Sequence, residues 1–474
     1  MKYALFFVVF LLTENANSQT NKWDGSTDNN WNTAANWSLN LVPTNAHDVV
    51  IDINAAIIVN TNATINKLTI TSNSTVTFTS SGAGRTITID NTGSSIDSGS
   101  SLELRGSTSF FGTRSMTIAY SGSNQTMSIA GTLNVTATGD GSVYIATNGL
   151  TTVTGTLISS GGTITSTAAN LTIASGGIYQ HARNGGPIPT ATWNAASTCL
   201  VTGITNTIPS AGLGQSFGNF TWNCSAQTGN LSLIGNLLTV NGNFTVTNTN
   251  TGSLRLSNSG VTDILEVGGN YSQTGGTFYM GGTTGSNTWT MNVGGNFSIA
   301  GGTFNMNGNS GASTLNVDGN FSANSGTITE VGSATCTINF SGTSTQTFTS
   351  GGTLANTINF AINSGATVDF GTSVISNGSN GTFVLNTGGK IITANNAGLT
   401  SSGATGTVQS TGSRNYNSGA SYEFKGSNTG AFVLTTANTI TGTLTINRSA
   451  GVTIDQDFTA TTLEFTDGVV TTGA

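Results

Sequence analysis

A Gly-Asn-aromatic-Ser/Thr tetrad returns five times in the middle of this chain, with its aromatic at Phe220, Phe244, Tyr271, Phe297 and Phe321. The steps between those aromatics are 24, 27, 26 and 24 residues. A fixed period of this size marks a solenoid, in which each repeat is one coil stacked on the next. Alternating triplets such as Leu265-Glu266-Val267 and Leu315-Asn316-Val317 precede the tetrads, and short strands such as Gly302 to Met306 follow them. No stretch between them shows the apolar i, i+3, i+4, i+7 spacing of a helix, so alternating strand-helix units are disfavoured. The reading is all-β: a right-handed parallel β-helix (β-solenoid) with about 24 to 27 residues per coil.

Stacking puts equivalent residues ~4.8 Å apart along the axis. Asn219, Asn243, Asn270, Asn296 and Asn320 are then expected to pass amide hydrogen bonds from coil to coil. Phe220, Phe244, Tyr271, Phe297 and Phe321 should form an inward column, and Gly218, Gly242, Gly269, Gly295 and Gly319 should take bends closed to other residues. Gly342 is followed by Thr343 and Ser344, so the ladder is expected to end there while the solenoid continues. The amino-terminal half has the same grammar at Lys67 to Ile70, Val76 to Phe78, Thr86 to Ile89, Ser101 to Leu104 and Thr132 to Val135. Later strands are expected at Thr337 to Phe340, Tyr422 to Phe424, Thr443 to Ile446 and Leu463 to Phe465.

Lys2, the apolar run Ala4 to Leu12 and the small residues Ala16-Asn17-Ser18 read as a cleaved export signal over residues 1–18. No later run approaches the ~20 apolar residues of a membrane span, so the mature chain is expected outside the cytoplasm, secreted or at the cell surface. Charged residues are 7 % of the chain against roughly 25 % in an average globular protein. A net charge of −7 and 12 scattered basic residues exclude a phosphate-tracking surface, hence a nucleic-acid partner. Three of the 4 prolines, Pro187, Pro189 and Pro209, fall within residues 185–210, a stretch expected to leave the regular coils as a loop or bulged rung. The organisation read from these features is a Trp-rich cap over 19–53, an irregular solenoid over 54–178, an interrupted module over 179–225 and a solenoid over 226–474. No polar capping repeat closes the end at Ala474, so a continuation is expected beyond it.

Two segments carry a resemblance. Trp23-Asp24-Gly25, Trp31, Asn36-Trp37-Ser38, Pro43 and Asp48-Val49-Val50-Ile51 form the first. Tyr179-Gln180-His181, Thr192-Trp193-Asn194, Cys199 and Phe220-Thr221-Trp222-Asn223-Cys224 form the second. Both resemble exported repeat proteins of bacteria that use the type IX secretion route, many of them adhesin-like parallel β-helices. The resemblance implies that the first segment is an amino-terminal cap; the sorting domain that usually ends such proteins is not visible here.

Chemistry is thin. Between Asp140 and Asp263 the chain has no Asp or Glu, and the basic residues there are Arg183 and Arg255. Acid/base catalysis needs a carboxylate pair or a base with a cationic stabiliser, so no catalytic residue is assigned. Asp455 and Asp457 share one strand face, and Gly139-Asp140-Gly141 is a simple turn without the repeated pattern of calcium-binding rolls. His47 and His181 lack Cys or carboxylate partners at metal-ligand spacing, so neither a metal nor a cofactor is assigned. Trp193, Trp222 and His181 are the candidates for glycan contact, because sugar rings lie flat on indole faces. Cys199 and Cys224 stand one repeat apart, a spacing that allows a disulfide between neighbouring coils, whereas Cys336 has no partner at that spacing. The function expected is a non-enzymatic, adhesin-like or structural module contacting extracellular glycans or surfaces. The alternatives are a carbohydrate-active β-helix enzyme and a passive stalk for a domain beyond Ala474.

Overall fold

The computed structural model describes residues 18–107, 114–137, 141–258, 262–282, 284, 288–332, 335–376, 378–427, 430–432, 439–454 and 457–472. The export signal through Asn17, Asp140 and Asp455 lie outside the described residues. Among the described residues the chain is all-β, with one 3-10 turn at Ala34–Asn36, and its parallel strands stack as a β-solenoid. It divides into two compact units, one through Thr172 and one from Ile173.

In the first unit three parallel sheets wall the coil. One holds His47–Ile51, Lys67–Ile70, Ser94–Ile96, Gln125–Ile129 and Gly149–Val153. The second holds Ala55–Val59, Thr75–Ser80, Ser101–Arg105, Thr132–Thr136 and Thr156–Ser160, and the third holds Ala63–Ile65, Arg85–Ile89, Met116–Tyr120, Ser142–Ile145 and Thr163–Thr165. Period-two sequence makes each wall two-faced: Leu102 and Leu104 are buried while Ser101, Glu103 and Arg105 face out. Trp23, Trp31 and Trp37 are all buried, with Trp37 at 4.8 Å from Trp31 and 5.0 Å from Trp23, and Trp31 packs edge-on against Phe78 at 5.8 Å. The Trp37 indole N–H donates to the Trp31 carbonyl at 2.8 Å.

The second unit repeats the three-walled plan. Every aromatic of the tetrad is buried, and register pairs Phe220, Phe244, Tyr271, Phe297 and Phe321 one above the next. The column runs one step further than expected, because Phe348 pairs with Phe321 and stacks on it at 5.1 Å. Gly342 was the wrong anchor for that coil: Thr347 occupies the Asn position and Phe348 the aromatic one. A second apolar column of Phe278, Phe304, Ile328 and Leu354 faces the first, with Phe304 at 5.0 Å from Phe297.

Around the prolines the coil continues as an irregular rung, with isolated bridges in place of strands over residues 182–191 and 202–218. Ile178 pairs with Thr198 and Thr198 with Asn219, and Pro187 itself bridges Ala211. The missing N–H groups fall between strands, where no ladder bond is due.

Candidate functional site

The three residues singled out for glycan contact face inward. His181 and Trp222 are fully buried and Trp193 is 9 % exposed, so no indole face is offered to a sugar. His181, Val201 and Trp222 form one inward register column beside that of Tyr179, Cys199 and Phe220, and Trp193 packs at 6.2 Å from Tyr179 and 4.9 Å from Phe217. Each indole N–H is satisfied by a glutamine that sequence reading passed over. Trp193 donates to Gln215 at 3.0 Å and Trp222 to Gln227 at 2.8 Å. The amide groups of those glutamines donate in turn to carbonyls, Gln215 to Gly212 and Gln227 to Gly229 and Ser253. His181 is held the same way: its Nε2–H donates to the Gly185 carbonyl at 2.9 Å, which leaves Nδ1 to accept the Tyr179 hydroxyl at 3.0 Å. Burial pushes the His181 pKa down to about 4, helped by Arg183 and opposed by the Gly185 bond.

Cys199 and Cys224 are free and buried. Their register explains it. Cys199 pairs with Phe220, so Cys224 lies four positions further along, roughly 13 Å at ~3.3 Å per residue. A disulfide needs Cα atoms within about 7 Å. Desolvation pushes the thiols of Cys224 and Cys336 up to about 12 and raises that of Cys199 as well.

The asparagines do form a ladder, but between a side chain and the next backbone. Asn219 Oδ1 accepts the Asn243 N–H at 2.8 Å, Asn243 accepts that of Asn270 at 2.8 Å, Asn270 that of Asn296 at 2.7 Å and Asn296 that of Asn320 at 2.8 Å. Asn320 accepts the Thr347 N–H at 2.7 Å. The adjoining glycines serve this contact rather than a left-handed bend. None of the five has a positive φ, and a Cβ on Gly242, Gly269 or Gly295 would lie 2.5, 2.7 or 2.5 Å from the Asn Oδ1 of the preceding coil.

The outer walls carry what the chain presents to its surroundings. Thr221, Thr245, Ser272, Ser298, Ser322 and Thr349 form one hydroxyl row in register. Thr277, Thr303, Thr327 and Thr353 form another, and Thr290, Thr314 and Thr337 a third, which ends at the amide of Asn359. A second amide ladder runs beside the third row: Asn292 donates to Glu266, Asn316 to Asn292 and Asn339 to Asn316, each at 2.8 Å. Its signal was present in the triplets Leu265-Glu266-Val267 and Leu315-Asn316-Val317. Several wall charges are paired, as in Lys67–Asp48 at 3.0 Å, Arg105–Glu103 at 2.8 Å and Lys390–Glu423 at 2.7 Å. His47 is buried in the cap and accepts the Thr44 N–H on Nδ1. Asp457 is exposed. Among the described residues no group of three or more His, Cys, Asp or Glu is placed to hold a metal, and no helix is long and apolar enough to cross a membrane.

Residues 22–128 match the model of a domain of unknown function, DUF8693. The match takes in the tryptophan cap and the first coils. No curated protein and no solved structure matches the chain.

Proposed function

We propose that the chain is an exported, non-enzymatic β-solenoid that works at the cell surface or outside the cell as an adhesin-like or structural module, contacting glycans or other surfaces. The observation that carries this reading is the outer wall: in-register rows of Thr and Ser hydroxyls beside an amide ladder. Spaced at ~4.8 Å, such rows offer many weak, repeated hydrogen bonds to an extended partner. The export-like leader and the two segments that resemble type IX cargo support the location. The pairing of Asp48, Glu103, Asp369 and Glu423 with Lys or Arg supports the non-enzymatic part, because those carboxylates are engaged in ion pairs.

The test is retention of the purified mature chain on insoluble polysaccharides, run beside a turnover assay on acidic and neutral polysaccharides with and without calcium. Retention without turnover is expected. Turnover that is lost on replacing Asp457 would assign a carbohydrate-active enzyme instead, and retention on no matrix would leave a spacer.

A further inference from the structure

Between the strands Lys390–Thr393 and Arg414–Tyr416 the chain makes an insertion, residues 394–413. Register across it, Lys390 with Ser421, spans more residues than in the coils before and after, Thr367 with Lys390 and Tyr422 with Leu444. The insertion is rooted by Leu399 and Val408, both fully buried, and by the Thr407 N–H bond to the Gly398 carbonyl at 2.9 Å. Against it lies a cavity of about 500 Å³, within the usual size of small-molecule sites, lined by Ser401, Ser402, Gln409, Ser410, Ser413 and Arg414 among others.

Two features of that lining point to a ligand. Arg414 is 5 % exposed, yet every partner of its guanidinium is neutral: the carbonyls of Thr400, Gly403 and Ser410 and the Thr400 hydroxyl. Among the described residues it forms no ion pair, so a buried positive charge stands at the cavity without a counter-charge there. Ser410 is 1 % exposed, and its Oγ is buried with no hydrogen-bond partner. A buried hydroxyl left unmatched is destabilising, and an incoming acceptor would recover that cost.

We infer that this cavity is a subsite for an anionic sugar residue, with the Arg414 charge neutralising the acidic group, Ser410 donating to it, and the serine hydroxyls and Gln409 meeting the ring hydroxyls. The inference rests on the glycan-contact reading above and narrows it from a surface to one pocket and from glycans at large to acidic ones. All five N–H groups of Arg414 are committed to the insertion, so the guanidinium acts through its field and Ser410 supplies the directed bond.

The experiment is calorimetric titration of the full mature chain with three oligosaccharides: a carboxylated oligogalacturonate, a sulfated heparin disaccharide and a neutral cello-oligosaccharide. Saturable binding of one or both acidic ligands, weakening as salt is raised, is expected, and the responding arm identifies the acidic group. Ser410→Ala should weaken that binding about ten-fold without lowering the melting temperature of the free chain, since it removes an unmatched buried hydroxyl. Ser402→Asp, at an exposed position, should abolish it by placing a like charge in the cavity while leaving the Arg414 network intact. Acidic binding that neither variant alters would overturn the subsite, as would equal affinity for the neutral ligand. Either result would leave retention on glycan matrices standing, whereas binding to none of the three together with retention on no matrix would sink both readings.

Discussion

Acid should destabilise the second unit through one residue, His181. The ring is fully buried, donates to Gly185 and accepts from Tyr179, an arrangement that only the neutral tautomer can make. Its pKa is about 4 in the folded chain against 6.5 for the free side chain. The folded value is the lower one, so the unfolded chain takes up the proton first. The contribution of His181 to stability is therefore complete above pH 6.5 and is lost as pH falls towards 4. At about 1.4 kcal/mol per pH unit the loss amounts to about 3 kcal/mol, a large share of ordinary domain stability. Urea unfolding followed by tryptophan fluorescence at pH 7.5, 6, 5 and 4 would measure it, with Trp193 and Trp222 in the same module as reporters. His181→Gln should start less stable at pH 7.5, since it loses packing, but should fall less steeply, so that the two curves converge by about 3 kcal/mol near pH 4. Parallel curves would refute the reasoning. Carboxylates act lower: the bonds to Asn30 and Asn36 hold Asp28 down at about 2, so its loss begins where that of His181 is nearly complete.

Gly295→Ala should cost about 1–3 kcal/mol in the same urea assay, because the new Cβ would meet Asn270 Oδ1 at 2.5 Å, whereas Gly214→Ala, with its nearest heavy atom at 3.8 Å, should stay within about 0.5 kcal/mol. Phe297→Ala should cost about 3–5 kcal/mol, since Tyr271, Phe304 and Phe321 all lie within 5.3 Å of its ring, while Ser298→Ala on the outer wall should change little. A thiol reagent should find no reactive cysteine in the native chain at pH 8 and three after denaturation. Burial keeps all three protonated, and non-reducing peptide mapping should show no bridge.

The fold was legible because its signals are local and repeated. Period-two alternation at Ser101 to Leu104 and the recurring tetrad both report directly which side of a strand is buried. The side-chain roles were legible only in part. That Asn219 and its successors form a ladder followed from spacing, but the atom they bond did not: register sets Asn Oδ1 over a backbone N–H, and a tetrad cannot display register. The glycines were assigned to bends for the same reason, when close approach of that Oδ1 is what excludes a Cβ. Trp193 and Trp222 were misplaced because Trp is at home on either face of a turn-rich stretch. What decides for the interior is an amide partner, the half-buried Gln215 or the buried Gln227, some residues away in sequence. Arg414 gave no signal at all, since a lone arginine after a Ser/Gly/Thr-rich stretch reads as solvated.

These misreadings share a cause that also bears on where specific recognition can lie. A regular coil commits its groups twice over. Inward side chains fill the columns, and backbone groups together with outward amides bond the coils above and below, as Asn316 does by donating to Asn292 and accepting from Asn339. A position inside the ladders can change only if its neighbours change with it, so the walls can present a uniform polar surface but not a particular one. An insertion at a corner is exempt. Lengthening a loop costs only on the order of 0.6 kcal/mol per doubling, and the strands on either side of residues 394–413 keep their register, Phe383 with Arg414 and Lys390 with Ser421. Such a segment can gather an uncompensated charge and an unpaired hydroxyl beside one cavity, as Arg414 and Ser410 are gathered here. On the proposed reading, then, broad weak contact belongs to the walls and selective contact to the insertion that Arg414 ties down.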